Sequence, residues 1–346
     1  MSSAPAAVPK GKHVGRVRAL TTLSPVIPDH ARLLDRRLRL VRWIPNAGRP
    51  LQELAFIHYG RWTVIRDLPD PSGSGGRRAL KYRYLLFESN FDGGESDYLD
   101  AFADTVPHRL ARLWGTCFRF ERGVMDAHGA DGREVAPWAF RQYVHDNELE
   151  VLHFYAAYPG ETVISVRQAI DFDARWKRQD GRELQAAALG PVPDPTGRVG
   201  KALRIVRDWR SSAFKRYGVR PLSLIAPIVP ERLDDVRRLC ERYDGFTRLP
   251  QTHYARFVLI PPGLTDLGQP DPDRLETHYL LLTSNHSGGT DDYVARLSTE
   301  AEEIWDCCAG RPLPYETDYF VAGYEARTPE EIRQYAARRR EAANGA

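Results

Sequence analysis

The stretch HYGRWTVI at residues 58–65 returns almost unchanged as HYARFVLI at residues 253–260. A second pair keeps the same offset, with YLLFESNFDGGESDY at 84–98 and YLLLTSNHSGGTDDY at 279–293 (253 − 58 = 279 − 84 = 195). Two separated blocks at one offset require the same number of residues between them. The chain therefore contains a long internal sequence repeat, which is the first feature to settle when a fold is inferred from sequence.

The repeat extends outward on both sides once gaps are allowed. Upstream, LSPVIP at 23–28 resembles IAPIVP at 225–230, and downstream FYAAYPGETVISVRQ at 154–168 resembles FVAGYEARTPEEIRQ at 320–334. The downstream offset is smaller (320 − 154 = 166), so the first copy contains additional residues (195 − 166 = 29). We place this insertion at 119–148 and expect it to be mostly loop.

Residue periodicity predicts the same order of elements in both copies. Apolar runs indicate strands, arginine-rich segments with leucines three and four residues apart indicate amphipathic helices, and the two S-N-x-x-G-G segments indicate turns. The predicted order is βαββαβ, the ferredoxin-like arrangement, with a short helix after each last strand. Besides the repeated strand blocks, the predicted elements are strands at 20–27 and 222–229, helices at 29–42 and 231–243, helices at 96–114 and 291–308, and last strands near 149–158 and 315–324.

Two such units in one chain resemble the dimeric α+β barrel superfamily in its fused form. Its members include dye-decolorizing peroxidases, chlorite dismutases, aldoxime dehydratases and cofactor-free monooxygenases of antibiotic biosynthesis. The resemblance rests on topology and repetition over 20–170 and 220–335. It is strongest to a branch that shares the H-[YWF]-x-R-[WF] strand and the S-N-[FYH]-[DS]-G turn, and these motifs bring no activity with them. The implied fold class is α+β, with two tandem ferredoxin-like units forming a fused α+β barrel.

The repeat also predicts a division of the chain. Each copy supplies one unit, and the segments that match no counterpart are assigned to termini, an insertion and a linker. The expected parts are a flexible N-terminus at 1–19, repeat 1 at 20–170 with the insertion at 119–148, a linker with short helices at 171–218, repeat 2 at 219–335, and a charged tail at 336–346.

Composition excludes several classes of protein. The chain of 346 residues has a formal charge of +3, too balanced to indicate nucleic-acid binding, and no apolar run long enough to cross a membrane. The first twenty residues lack the apolar segment of a signal peptide, and the four cysteines lack zinc-type spacing. We therefore expect a cytoplasmic protein with no metal site, no nucleic-acid or membrane partner, a small-molecule substrate, and a homo-oligomer as an open alternative.

Strand parity predicts which side chains point between the two sheets. Alternate residues of a strand share a face, so Arg61, Tyr254 and Arg256 are expected between the sheets. His58 and His253 are expected on the opposite face, packed under helices as core histidines.

The predicted inter-sheet space contains more cations than anions. Glu88 lies on the same face of the next strand and is the expected partner of Arg61. Arg256 faces Thr283 instead, so it has no carboxylate in its own repeat. Two interpretations stay open for Arg256: a clamp for a ligand anion, or a structural arginine bonded to backbone carbonyls.

These residues make a small-molecule enzyme the main functional hypothesis, and an oxidoreductase of biosynthetic type its most concrete form. The substrate would bind in or above the barrel. The catalytic candidates are Glu88, His286 and Tyr279. The substrate-binding candidates are Arg61, Tyr84, Tyr254, Arg256 and Asn285.

The sequence leaves two alternative functions open. A haem-dependent enzyme similar to the peroxidases or dehydratases would use His108 or His286 as the ligand. Haem-binding relatives take this histidine from the C-terminal unit, but the predicted helix at 291–308 contains none, and Ser89 departs from their G-x-x-D-G signature. The other alternative is a non-catalytic ligand-binding or scaffold protein whose barrel is filled by side chains.

Overall fold

The computed structural model of the chain consists of two antiparallel sheets with helices packed on their outer faces. The residues described are 11–43, 51, 54–105, 107–120, 124, 136–177, 218–264, 266–325 and 327–344. The strands are β1 His13–Val14, β2 Val17–Pro25, β3 Ile57–Pro69, β4 Arg77–Asp92, β5 Glu150–Ala156, β6 Val219–Pro227, β7 Thr252–Ile260, β8 Tyr279–Ser287, β9 Leu313–Pro314 and β10 Tyr319–Ala322. The α-helices are α1 Ala31–Trp43, α2 Glu95–Thr105, α3 Pro107–Trp114, α4 Pro137–Asp146, α5 Val163–Trp176, α6 Leu233–Glu241, α7 Thr290–Glu300, α8 Glu302–Trp305 and α9 Pro329–Asn344.

The repeated sequence blocks form equivalent parts of the two sheets. One sheet has the strand order β1-β2-β4-β3-β10 and the other β5-β7-β8-β6-β9. Arg61 lies opposite Glu88 in the β3–β4 ladder, and Arg256 lies opposite Thr283 in the β7–β8 ladder. The pairing register is therefore the same in both sheets, as the constant offset between the repeated blocks requires. The fold class is α+β with two five-stranded antiparallel sheets.

The last strand of each repeat lies in the sheet of the other repeat, which corrects the prediction of two self-contained ferredoxin-like units. β5, from the first repeat, pairs with β7, and β10, from the second repeat, pairs with β3. A self-contained βαββαβ unit would keep all four strands in one sheet. Each sheet here is completed only by the other half of the chain, so the two repeats form their sheets together.

Side chains fill three layers of core. Tyr84, Leu86 and Val258 belong to an apolar cluster between the two sheets. Trp62 and Trp114 belong to a second cluster between the first sheet and its helices, and the second sheet has an equivalent layer. The alternation of these clusters along β3 and β7 follows from the two-residue period of a strand.

Several predicted boundaries differ from the elements observed. The segment 1–19, expected to be flexible, contains β1 and the start of β2; α5 crosses the expected linker boundary at 171; and α9 continues through most of the expected tail at 336–346. Of the predicted insertion at 119–148, the described part contains α4 and a bridge between Thr22 and Glu148, and most of the predicted linker lies outside the described residues. Within the described parts of the chain, we find no helix long and apolar enough to cross a membrane.

Candidate functional site

Two β-bulges turn the repeated histidines away from their predicted position. The β3–β4 register shifts between Ile57 and Tyr59, and the β7–β8 register shifts between Thr252 and Tyr254. A bulge inserts one unpaired residue and changes the direction of the local side chains. His58 and His253 therefore contact tyrosines that belong to the inter-sheet core, which corrects the prediction that they lie under helices.

His58 lies between a carboxylate and two phenol hydroxyls. Its Nε2 atom is 2.8 Å from Oδ1 of Asp92, the aspartate of the first S-N-x-x-G-G turn. Its Nδ1 atom is 3.0 Å from the hydroxyl oxygens of both Tyr254 and Tyr324. The imidazole is completely buried. A carboxylate that orients an imidazole against a hydroxyl is the arrangement used for proton transfer in many enzymes.

The second repeat builds a matching arrangement around His253. Its Nε2 atom is 2.8 Å from Oγ of Ser287, which occupies the position of Asp92 in the second turn. Its Nδ1 atom is 2.9 Å from the hydroxyl oxygen of Tyr158. In both repeats the histidine precedes its turn partner by the same interval (92 − 58 = 287 − 253). The two repeated sequence blocks thus meet in space at one histidine.

The two arrangements join through their tyrosines. The hydroxyl oxygens of Tyr324 and Tyr158 are 2.7 Å apart, so each tyrosine bonds the histidine of the other repeat and also the other tyrosine. We call the connected set the inter-repeat network, and it consists of Asp92, His58, Tyr254, Tyr324, Tyr158, His253 and Ser287.

Burial keeps the central part of the network neutral. Burial is the largest cause that lowers the pKa of His253, to about 3, and the nearby His286 lowers it further. Burial raises the pKa of Tyr158, Tyr254 and Tyr324 above the usual value for a phenol. At pH 7 these groups therefore exchange hydrogen bonds as neutral donors and acceptors.

The two ends of the network are its most exposed members, although Tyr324 is also 6% exposed. The Asp92 side chain is 11% exposed and Ser287 is 8% exposed. Oδ2 of Asp92 also accepts a hydrogen bond from the Val163 N–H at the start of α5, at 2.6 Å. Asp92 therefore has a structural role as a helix cap in addition to holding His58.

The predicted pair of Arg61 and Glu88 lies buried between the sheets. Nε of Arg61 donates to Oε2 of Glu88, and its Nη1 donates to the carbonyl oxygens of Leu222 and Ser284 in the other sheet. Oε1 of Glu88 accepts from the Thr283 hydroxyl at 2.6 Å. Every one of these contacts is internal, so the contacts of Arg61 and Glu88 favour a structural role over substrate binding or catalysis.

Arg256 is surrounded by neutral acceptors from the first sheet. Its Nη1 donates to the Leu20 carbonyl at 2.7 Å and to Thr21 Oγ1, and its Nη2 donates to the Ser89 carbonyl and to Oδ1 of Asn90. The side chain is 2% exposed. Burial lowers its pKa to about 10, although Glu88 acts in the opposite direction. Of the two interpretations left open, these contacts favour the structural arginine.

His286 and Asn285 lie beneath the second turn rather than in an open site. The His286 ring stacks on Tyr293 with a centroid distance of 4.1 Å and an interplanar angle of 2°, and it is completely buried. Burial lowers the pKa of His286 to about 3. Asn285 is 3% exposed. The structure therefore gives neither residue access to a substrate from solvent.

The remaining candidates lie apart from the network. The Tyr84 hydroxyl donates to Asp273 at 3.0 Å, and the Tyr279 hydroxyl donates to the Pro69 carbonyl at 3.0 Å. Near Tyr84, apolar side chains line a cavity of about 10 Å³, the space of one water-sized sphere. His108 is exposed on α3, outside the network.

One group among the described residues has the donor types of a metal site. Single donor atoms of Glu95, His145 and Glu148 lie within 4.8 Å of one another. The Lys12 ammonium, however, forms ion pairs with both glutamates. A hydrogen bond with Glu148 is the largest cause that raises the pKa of His145. The position that a cation would take already contains an ammonium group.

Sequence reasoning identified Tyr254 but missed the other members of the network. Strict strand alternation placed His58 and His253 on the wrong face, because a bulge leaves no pattern in a short strand. One signal was available: the interval between the histidine and the residue before the glycine pair is identical in the two repeats.

Comparison with known proteins gives little beyond this geometry. No protein-family model matches the chain, and no curated protein matches it. An anthrone oxidase-like protein of known structure is 9% identical with a TM-score of 0.28, over 91% of this chain and 96% of its own. A Fusobacterium nucleatum protein described as a candidate monooxygenase is 7% identical with a TM-score of 0.35, over 90% of this chain and 98% of its own. At these TM-scores the likenesses carry no argument about activity.

Proposed function

We propose that the chain is an oxidoreductase for a small aromatic hydroxy compound, with Asp92, His58 and Tyr254 as its proton-transfer group. The observation that carries this proposal is the buried hydrogen-bonded order of carboxylate, imidazole and phenol. The Asp92 carboxylate, the exposed member of the group, would accept the proton of a bound hydroxyl, and the buried His58 imidazole, held on its other side by Tyr254, orients that carboxylate.

The substrate is expected at the surface end of this group, over the turn that begins at Asp92. A side-chain carbon built on Gly93 would meet no atom within 4 Å, so the turn faces open space. Asp92 is the member of the group with measurable exposure. The proton of a bound hydroxyl would enter here, while the inter-sheet core remains closed.

The proposed reaction is the oxidation of a hydroquinone-type substrate by dioxygen. The substrate loses two electrons and two protons and becomes a quinone, while dioxygen gains them and becomes hydrogen peroxide. The Asp92–His58 pair accepts the first hydroxyl proton, which favours electron loss from the resulting phenolate. Dioxygen comes from solution, so the electron balance needs no other oxidant.

The test is dioxygen uptake and hydrogen peroxide formation with a panel of hydroquinones and reduced naphthoquinones. Asp92→Asn and Tyr254→Phe should each lower kcat by a factor of about 100, the usual contribution of a positioned acid or base. Tyr59→Phe is the matched control, since Tyr59 occupies the position of Tyr254 in the first repeat and its hydroxyl, although it lies near those of Tyr158 and Tyr324, forms no hydrogen bond with Asp92 or His58 among the described contacts. Failure of every substrate, or unchanged kcat in Asp92→Asn, contradicts the proposal.

A second candidate is a non-catalytic scaffold or ligand-binding protein. It is favoured by the filled space between the sheets, where Arg61 and Arg256 bond carbonyl oxygens of the opposite sheet. Under this alternative no hydroquinone is oxidised, and a scaffold protein also keeps its thermal midpoint in the presence of every hydroquinone. Binding without turnover would support a ligand-binding protein, and turnover would exclude the alternative.

A further inference from the structure

The inter-repeat network is a continuous line of polar groups at hydrogen-bond distance between two turns, and the Tyr254 and Tyr324 hydroxyls compete for one acceptor atom in it, Nδ1 of His58. From Asp92 the line runs through His58, Tyr324, Tyr158 and His253 to Ser287. The five heavy-atom distances are 2.8, 3.0, 2.7, 2.9 and 2.8 Å, all within the normal range. Imidazole and phenol groups each donate and accept, so a proton displaced at one end can shift every bond along the line.

We propose that this line is a proton relay that joins the two glycine-rich turns, and that the Tyr254 hydroxyl sets the direction in which its hydrogen bonds point. The relay extends beyond the proposed redox reaction, because it couples the first turn to a second, distant turn. Its test measures no catalytic activity, so it can succeed or fail independently of the proposed function.

The number of protons that each group can donate fixes the direction of the hydrogen bonds along the line. An ionised Asp92 only accepts, so His58 donates from Nε2 and accepts at Nδ1. Two hydroxyls lie at that Nδ1, those of Tyr254 and Tyr324, but its single lone pair accepts from one. Tyr324 has another acceptor, the Tyr158 oxygen, whereas His58 is the acceptor that the structure gives Tyr254.

The arrangement that satisfies every donor therefore begins with Tyr254. Tyr254 donates to His58, Tyr324 donates to Tyr158, and Tyr158 donates to Nδ1 of His253. His253 then carries its proton on Nε2 and donates it to Ser287. Leaving a buried donor or acceptor without a partner is unfavourable, so this arrangement should predominate.

Removal of the Tyr254 hydroxyl should reverse the donor–acceptor direction of the hydrogen bonds along the line. With only Tyr324 left to donate to His58, Tyr158 must donate to Tyr324 and His253 must donate from Nδ1. Ser287 then donates to Nε2 of His253. Tyr254 and His253 share no hydrogen bond among the described contacts, but Tyr254 is the next residue in the chain and its ring packs against Tyr158 at 5.2 Å, so a change at His253 has to be separated from local packing.

The experiment is ¹⁵N NMR of the histidine side chains at pH 8, with His58 and His253 assigned through bonds. In the wild-type protein both should carry their proton on Nε2. In Tyr254→Phe the tautomer ratio of His253 should change at least about tenfold in favour of Nδ1–H, the effect of one unsatisfied buried group. Tyr59→Phe, the control in the equivalent position, should leave both histidines unchanged.

A double variant separates a relay from a local packing effect. In Tyr254→Phe with Tyr324→Phe the line is interrupted, so Tyr158 can again donate to His253, and the Nε2–H form should return. An unchanged His253 in Tyr254→Phe would overturn the proposal, as would a Nδ1–H form that persists in the double variant. If Tyr254→Phe fails to fold, Tyr324→Phe alone tests the assigned direction: His253 should keep its Nε2 proton, and a shift to the Nδ1–H form would overturn the proposal.

Discussion

The two S-N-x-x-G-G turns hold equivalent histidines with different side chains, and the helices beside them explain the difference. Asp92 bonds both His58 and the Val163 N–H that begins α5. Ser287 bonds His253, and α9 in the equivalent place begins at a proline, which has no N–H to donate. The first turn needs two acceptor oxygens and the second needs one. The two repeats therefore keep the same turn geometry, and the number of N–H groups nearby determines whether the turn carries an aspartate or a serine.

The same contrast occurs at two other equivalent positions. Phe91 stacks on Tyr98 at 3.9 Å in the first repeat, where His286 stacks on Tyr293 at 4.1 Å in the second. Glu88 in the first repeat corresponds to Thr283 in the second, to which it is hydrogen-bonded. In each case the backbone is repeated and the ionisable group is not, so the pH dependence should differ between the halves.

The largest change in the free energy of unfolding should come from Glu88, the buried carboxylate that the second repeat replaces with Thr283. Arg61→Leu leaves Glu88 buried without its cation, and we expect a loss of about 3–5 kcal/mol in the free energy of unfolding. Urea unfolding measures it. The double variant Arg61→Leu with Glu88→Leu should recover much of that loss, because no uncompensated charge remains. Equal losses in the single and double variants would contradict an electrostatic origin.

An intermediate effect should appear in the pH dependence of stability. Burial lowers the pKa of His286 from 6.5 to about 3, so below pH 6.5 the unfolded chain binds a proton that the folded chain excludes. This histidine should destabilise the fold by about 1.4 kcal/mol per pH unit as the pH falls towards 3. His286→Phe copies Phe91 of the first repeat and should remove this loss, which amounts to about 2 kcal/mol between pH 6.5 and pH 5.

The reciprocal change is the control for this prediction. Phe91→His should add a similar acid sensitivity to the first repeat, measured by urea unfolding at pH 7.5, 6 and 5. A His286→Phe protein that still loses stability as steeply as the wild type would show that other groups dominate the acid response.

The smallest effect should come from making the turns alike. Asp92→Ser removes the acceptor of the Val163 N–H at the start of α5 and the carboxylate at His58, while the Thr162 cap of α5 remains, and we expect a loss of about 1–2 kcal/mol in the free energy of unfolding. Ser287→Asp should change the free energy of unfolding less, because α9 begins at a proline and offers no N–H to a second carboxylate oxygen at this turn. It should raise the pKa of His253 from about 3, measured by NMR titration. A pKa of His253 that does not rise would contradict the predicted carboxylate contact.

Part of this architecture follows from sequence alone. The constant offset between the repeated blocks predicted equal strand pairing in both halves, and alternation along the strands predicted that Arg61 would meet Glu88, because both depend on neighbouring residues in one hairpin. The apolar periodicity likewise indicated the helices that cover the sheets. These features are local, so short stretches of residues are enough to predict them.

Tertiary structure decided which sheet receives each last strand and where the histidines point. β5 and β10 are short edge strands, and their own residues do not specify which sheet they join, so their exchange depends on how the two halves pack. The bulges beside His58 and His253 displace one residue each and leave no periodic signal. The inter-repeat network depends on both events, because Tyr158 and Tyr324, which follow the exchanged strands, reach the histidine of the other repeat only after the exchange.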